Sequence, residues 1–372
     1  MNSKRQFSIP CLDGIRAVSF LIVFTSHAGI EQMPGLFGVA VFFFLSGYLI
    51  TTLMRMEIAS TGSLSLKGFY LRRSFRILPP FYFVMCFILA LVALGILPGS
   101  CTASDLFASL FYLTNYWNIY VRTIMIPGFN IFWSLAVEEH FYLVFPLLIL
   151  VMLKLRLRLK TQALILLGVC AAVLAWRCVL VLGLHSLDMK FATNMPLRTM
   201  YGTDTRIDSI LFGSVLALWS NPILDERPKL HWGWAIAGAL LLLATFVIRS
   251  PEFRETFRYS LQGLALMPLF FSAIQRPDHW AYRWLESGPA KLIGVLSYTL
   301  YLVHSPILMV VQRWSDNRLI IGVVALSLSL AIAYAMHILV EEPCARLRRK
   351  FGSRSAEIIN RTGEVEVVPT GD

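Results

Sequence analysis

Arg16 and His27 stand eleven positions apart in one apolar stretch, LDGIRAVSFLIVFTSHAG. Eleven residues is close to three turns of α-helix at about 3.6 residues per turn, so the two basic groups share a face. An imidazole held in an apolar helix is a candidate general base, and it also fits a structural histidine bonding between helices. The segment LRRSFRI adds Arg72, Arg73 and Arg76. Arg73 and Arg76 lie at i and i+3, side by side at the start of a helix, an arrangement that suits a phosphate or pyrophosphate. The same cluster fits a topogenic signal meeting anionic lipid. FWSLAVEEHFY carries Glu138 and Glu139, LSYTLYLVHSP carries Tyr301 and His304, and DTRIDS carries Asp204, Arg206 and Asp208, all inside or at the edge of apolar runs. Ionisable groups there cost about 2.5 to 3.5 kcal/mol each on insertion scales, so a chain that keeps several has a use for them. One such use is structural: either glutamate can pair internally with Arg177 or Arg206.

The elements that position these groups are membrane helices. Of the 372 residues, 57% are hydrophobic and 15% charged, with mean hydropathy +0.66, against about 25% charged in an ordinary soluble domain. That excludes a soluble cytosolic enzyme. Runs such as VFFFLSGYLI and FPLLILVML are continuous, where strands of a transmembrane barrel would alternate. The pattern predicts an all-α, polytopic bundle of about ten spans at 14–31, 36–54, 77–97, 131–153, 162–183, 206–220, 232–248, 259–275, 292–311 and 319–340. Of the 33 Lys and Arg residues, about 22 fall on the side of the N-terminus and about 8 on the other, which puts both termini in the cytoplasm. The net charge of +11 therefore reports topology and needs no nucleic acid.

Depth brings the polar residues together. At about 1.5 Å per residue, His27 lies about 20 Å above the inner end of the first span. Glu138 lies about 10 Å below the outer end of the fourth, and His304 about 20 Å above the inner end of the ninth, all one level in a core about 30 Å thick. Arg177 reaches a similar height, with Asp204, Arg206 and Asp208 just above.

No internal repeat is present, and residues 1–345 read as a single membrane domain. The first apolar run lacks a small-residue cleavage site and reads as a retained helix. The six cysteines are scattered, with no Cys/His spacing for zinc. DLFASLFYLTNYWNIY is rich in interfacial Tyr and Trp and is expected to lie on the surface or dip in. Residues 346–372 read as a basic, disordered cytoplasmic tail.

Taken in order, LDGIRAVSFLIVFTSHAG, GVAVFFFLSGYLIT, FYLRRSFRILPPFY, FWSLAVEEHFYLVFPL, DTRIDSILFGSVLA, LSYTLYLVHSPI and the terminal VEEP make a specific set. Over nearly its whole length the sequence resembles the acyltransferase 3 family, integral-membrane enzymes that O-acylate carbohydrates and other extracytoplasmic acceptors. The retained first helix points to a plasma-type membrane, and the resemblance implies ten membrane helices, an acyl-CoA donor taken from the cytoplasm, and a carbohydrate acceptor, lipid-linked or extracytoplasmic, modified on the outer side. It implies that Arg16 and His27 are the catalytic pair, that Arg73 and Arg76, with Arg72 beside them, hold the CoA phosphates, and that Glu138 is the acidic residue of the fourth-span motif. Asp204, Arg206, Asp208, Tyr301, His304 and Glu341 fit family motifs without the match assigning their roles. Some relatives carry an esterase-like domain after the membrane part; here transfer to the final acceptor is expected in the membrane domain itself.

The expected chemistry is general-base transfer from acetyl-CoA, with no metal. His27 takes the proton of a sugar hydroxyl attacking the thioester, Glu138 orients the ring, and the pantetheine arm follows the Arg16 face. An acyl-histidine route and acyl groups longer than acetyl are equally compatible with these residues. The competing class is a transporter or flippase of a small anion or glycan intermediate. It lacks the expected repeat and has no need of an arginine pair for a cytoplasmic phosphate. A third class is a non-catalytic partner in surface-polymer assembly.

Overall fold

Every regular element among the described residues is helical. The computed structural model describes residues 9–121, 126, 128–183, 197–226 and 228–350. In chain order the helices are α1 Leu12–His27, α2 Gly35–Thr61, α3 Leu66–Ala93, α4 Ala103–Leu110, α5 Thr114–Tyr120, α6 Phe132–Lys154, α7 Leu159–Cys178, α8 Thr203–Trp219, α9 Trp232–Val247, α10 Pro251–Glu255, α11 Phe257–Gln275, α12 Gly288–Val311, α13 Arg318–Met336 and α14 Glu342–Lys350. Six segments are long and apolar enough to cross a membrane: Gly35–Thr61, Leu66–Ala93, Phe129–Lys154, Leu159–Gly183, Gly288–Val311 and Arg318–Leu347. The other four long helices, α1, α8, α9 and α11, have 16, 17, 16 and 19 residues. Exposed apolar side chains such as Leu143 and Leu147 on α6, Leu240 and Leu243 on α9, and Val323 and Leu328 on α13 cover the outside of the bundle, as a lipid-facing surface requires. The chain is a multi-pass membrane protein.

Small residues set the closest helix approaches. A Cβ on Gly47 of α2 would fall 1.9 Å from the carbonyl oxygen of Ile210, and one on Gly213 of α8 would fall 1.9 Å from that of Phe44. The two backbones touch reciprocally, as glycine permits in an apolar medium where packing replaces the hydrophobic drive. Arg55 Nη2 reaches Asp225 Oδ1 at 2.6 Å and Tyr48 donates to Asn221 Oδ1 at 3.2 Å, so α2 and α8 run in the same direction. On the other side of the bundle, a Cβ added to Gly294 of α12 would lie 2.0 Å from the Asp13 carbonyl oxygen, and one added to Gly14 of α1 would lie 2.2 Å from the carbonyl oxygen of Leu285, just before α12. These contacts bring α1 and α12 together and set the register of the histidines they carry.

α3 begins eleven residues before the apolar run expected to open at 77, because Ser65 caps it: its Oγ accepts from the Gly68 N–H at 3.1 Å. Arg72, Arg73 and Arg76 are therefore helical. The aromatic segment before α6 forms two short helices, α4 with a Thr102/Asp105 capping box and α5, joined by Trp117 Nε1 donating to Asp105 Oδ1 at 2.9 Å. At the C-terminal end, residues 346–350, expected in the tail, continue α14. That helix packs on α3 and carries a Glu342–Arg346 pair at 3.1 Å. The remainder of the expected tail, 351–372, lies outside the described residues.

Candidate active site

Five helices line an open hollow of about 830 Å³, its solvent-open mouth included. α1 contributes Arg16, α3 contributes Arg73 and Arg76, α2 contributes Phe42 and Ser46, α6 contributes Ser134, Glu138 and Tyr142, and α12 contributes Tyr298 and Tyr301. Arg16, Arg73, Arg76, Glu138 and Tyr301, distant in sequence, thus share one wall-to-wall space. Arg16 Nη1 bonds Asp13 Oδ1 at 2.7 Å, one turn below it. Arg73 lies over the Tyr142 ring, its Cζ 5.6 Å from the centroid, and Arg76 is exposed. Glu138 accepts from Ser46 Oγ at 3.0 Å and from Tyr142 OH at 3.2 Å. Three guanidinium groups line one hollow, and a guanidinium offers paired N–H donors in the geometry that phosphate oxygens take. A smaller hollow of about 350 Å³ shares Arg73, Glu139 and Tyr142 with the first and extends between α3 and α6 to Tyr70 and Leu143.

Beyond Tyr301 the two histidines meet. Tyr301 OH and Ser134 Oγ, both on the wall of the hollow, are 2.7 Å apart, and the Tyr301 ring packs on His304 at 5.5 Å between centroids. His304 is fully buried, with the edge of Phe20 and the tilted ring of Phe24 around it. Its Nδ1 is 2.7 Å from the Tyr301 carbonyl oxygen, and its Nε2 is 2.8 Å from His27 Nδ1. A carbonyl only accepts, so His304 carries its proton on Nδ1 and presents the Nε2 lone pair. His27 Nδ1 must then donate. The free lone pair of the His27 imidazole is consequently on Nε2, and the His27 side chain is exposed.

The remaining sequence candidates lie elsewhere. Arg72 pairs with Glu57 at 2.5 Å, and Glu57 also accepts from the Ser65 N–H at 3.0 Å, so this arginine closes the α2–α3 turn outside the hollow. Asp204 accepts from Tyr116 OH at 3.0 Å, Trp176 Nε1 at 2.8 Å and Arg198 Nη1 at 2.8 Å. Asp208 is in a fully buried ion pair with Arg177 at 2.7 Å. Arg206 stacks on Tyr259 with its Cζ 3.8 Å from the ring centroid. Glu341 bonds His337 Nδ1 at 2.9 Å and accepts from Thr299 Oγ1, tying α12 to the π-helical turn after α13. The partner of His27 is His304, while Glu138 faces the arginines. Ser46, Ser134 and Tyr142 join the site without having been singled out in the sequence. Tyr142 and Ser134 flank Glu138 in FWSLAVEEHFY at i+4 and i−4, one helix face, which is the signal that would have found them. Among the described residues no group of three His, Cys, Asp or Glu side chains converges as a metal site.

Comparison with known proteins bears on this geometry. The model of an acyltransferase domain matches residues 9–338. The peptidoglycan O-acetyltransferase OatA of Listeria monocytogenes is 30% identical over 316 residues, covering 81% of this chain and 49% of that protein. A putative O-acetyltransferase of Staphylococcus aureus strain COL is 30% identical over 357 residues, 89% of this chain and 56% of its own length. The O-acetyltransferase OatA of Staphylococcus aureus strain NCTC 8325 is 30% identical over 325 residues, 82% of this chain and 51% of its own. The chain thus spans about half the length of the curated relatives it matches. No solved structure matches. With the match running from before α1 to the end of α13 and so taking in the whole hollow and both histidines, the chain belongs to the acyltransferase 3 domain family.

Proposed function

We propose that this chain is a membrane O-acetyltransferase that moves an acetyl group from acetyl-CoA to a carbohydrate hydroxyl on the opposite side of a plasma-type membrane, with His27 as general base. The observation that carries the reading is the His27–His304 hydrogen bond of 2.8 Å, set directly behind the arginine-lined hollow. In this reading all ten long helices cross the bilayer, both termini are cytoplasmic, and the mouth of the hollow at Arg73 and Arg76 faces the cytoplasm. The relatives' names point to glycan as acceptor, lipid-linked or already extracytoplasmic.

Acetyl-CoA, as donor substrate, supplies the thioester. Arg73 and Arg76, with Arg16 deeper in, hold its phosphates, and Glu138 fixes Tyr142 beneath Arg73 so that the guanidinium keeps its place. In this reading the thioester passes the Tyr301–Ser134 pair on the wall of the hollow to reach the histidines. His27 Nε2 takes the acceptor hydroxyl proton as the oxygen attacks the thioester carbonyl. The C–S bond breaks, and the proton passes to the departing thiolate. His304 acts through His27, holding it in the one tautomer that leaves Nε2 unprotonated. The Tyr301 and Ser134 hydroxyls are the nearest donors for the carbonyl oxygen as charge develops on it.

The test uses inside-out vesicles with labelled acetyl-CoA, reading label transferred and CoA released. Wild type is expected to move label to a lipid-linked or surface glycan. His27→Ala should bind donor and transfer nothing. If wild type neither binds nor consumes acetyl or longer acyl donors, a transporter of anions or glycan intermediates replaces this reading.

A further inference from the structure

Tyr259, near the start of α11, is surrounded by three guanidinium groups. The Cζ atoms of Arg206, Arg258 and Arg177 lie 3.8, 5.1 and 5.6 Å from its ring centroid. Among the described residues, only Arg177 of the three is paired with a carboxylate. It donates to both oxygens of Asp208 at 3.0 and 2.7 Å and to the Thr256 carbonyl at 2.9 Å. Asp208 is further engaged by the Ser260 hydroxyl at 2.6 Å and the Ser209 N–H at 2.9 Å. Nothing of it is left for Arg206. That side chain is fully buried, and its Nε, Nη1 and Nη2 have no hydrogen-bond partner among the described residues. The Nε of half-buried Arg258 is in the same condition, while its Nη2 donates to Tyr259 OH at 3.3 Å.

Aromatic contacts satisfy only part of this. Tyr259, Phe43 at 5.8 Å and Trp133 at 6.0 Å attract the face of the Arg206 cation. A ring face attracts the charge but supplies no acceptor oxygen, and the Arg206 Nε, Nη1 and Nη2 donors have no hydrogen-bond partner among the described residues. Buried donors without acceptors and a surplus of two positive charges together specify a missing partner: an oxyanion able to take a guanidinium edge-on through two parallel bonds.

The position of the cage says which molecule brings that oxyanion. α2 and α8 run in the same direction, and Ser260 beside Arg177 and Asp208 sets α11 along them. Arg206, Arg258 and Arg177 therefore sit at the end of the bundle where α1 finishes in His27 and α2 begins. Phe43 and Trp133 stand between Arg206 and the hollow, to which Phe43 and Ser134 belong. The cage is thus separate from Arg73 and Arg76 and lies on the acceptor's side.

We propose that the Arg206–Tyr259–Arg258 cage binds the carboxylate or phosphate of an acidic carbohydrate acceptor, with Arg258 at the rim and Arg206 as the inner ligand. The word acceptor rests on the O-acetyltransferase reading above; the anion site does not.

The full chain purified in detergent is titrated with glucuronate, glucose 6-phosphate and glucose, without acetyl-CoA, and binding is read by calorimetry. At least one charged sugar should bind wild type tenfold or more tightly than glucose, and the two charged arms separate carboxylate from phosphate. Arg206→Met should abolish the preference, and Arg73→Ala plus Arg76→Ala should keep it. If Arg206→Met fails to fold, Arg258→Gln serves in its place and should weaken the charged sugar at least threefold. No preference in wild type, a preference that survives both cage variants, or one lost with Arg73 and Arg76 overturns the site. Because donor chemistry plays no part in the readout, loss of the acetyl-transfer reading and loss of this site are distinguishable.

Discussion

His304 determines which nitrogen of His27 is basic. Its own Nδ1 is committed to the Tyr301 carbonyl at 2.7 Å, and its Nε2 therefore accepts from His27 Nδ1 at 2.8 Å. His304→Gln keeps an acceptor near the Nε2 position, whereas His304→Asn is too short to reach His27. The Gln variant is expected to retain more turnover than the Asn variant. The Asn variant should lose roughly 10- to 100-fold in kcat, and His27→Ala about 10²- to 10⁴-fold, the scale of a lost general base. KM for acetyl-CoA should hold in all three, since neither ring touches the arginines. Equal kcat in the Gln and Asn variants would remove the tautomer argument.

Arg73→Ala and Arg76→Ala should act on the other parameter. Each is expected to raise KM for acetyl-CoA about tenfold with kcat at saturation little changed, the signature of lost ground-state binding. Tyr142→Phe, which deletes the hydroxyl bonded to Glu138 but keeps the ring under Arg73, should do so more weakly. Steady-state kinetics with donor varied at fixed acceptor decides it.

The Arg177–Asp208 pair is fully buried and serves the fold. Asp208→Asn leaves an uncompensated charge, and Arg177→Met strips Asp208 of two donors. Each is expected to destabilise by about 3 to 5 kcal/mol, while the double replacement by apolar residues should cost less than the sum. Thermal unfolding in detergent provides the cycle.

Arg206 predicts the opposite sign. Its guanidinium nitrogens have no hydrogen-bond partner among the described residues, so Arg206→Met should raise the unfolding temperature of purified protein. A gain of about 1 to 2 kcal/mol is the scale of replacing an uncompensated buried charge by an apolar side chain. A melting point lowered as far as by Asp208→Asn would mean that the Tyr259 stack alone supports the fold.

Glycines provide the matched control. Gly213→Leu and Gly47→Leu place side chains where backbone oxygens already lie 1.9 Å from the Cβ position, and folded yield should collapse. Gly168→Ala in α7, with open space around it, should be neutral or stabilising by up to about 1 kcal/mol. Monodispersity on size exclusion separates the two.

Helices were the most legible feature of the sequence, because an apolar run near twenty residues long has few other uses. Counting depth along those runs brings His27, Glu138 and His304 to one level. Which of them touch was not legible, because helix rotation decides it, and rotation is set by backbone contacts such as Asp13 with Gly294 that leave no mark on hydropathy. Glu138 accordingly turns toward Ser46 and Tyr142, and His304 takes the place beside His27. Arg72 reads as a third member of a phosphate motif. One helix position rotates it away from Arg73, where Glu57 meets it. Arg206 and Asp208, two residues apart on α8, take different partners beside the same Tyr259 ring: Asp208 pairs with Arg177, and Arg206 stacks on the ring.

The reciprocal glycine contact between α2 and α8 joins backbone stretches 167 residues apart. During synthesis at about 5 to 20 residues per second, the Gly47 face leaves the ribosome roughly ten to thirty seconds before its partner exists. For that interval α2 sits in the bilayer with a bare groove, open to lipid or to another nascent helix. Assembly of the site is therefore a late event in the birth of the chain, and a chaperone or insertase that shields α2 would act in that window.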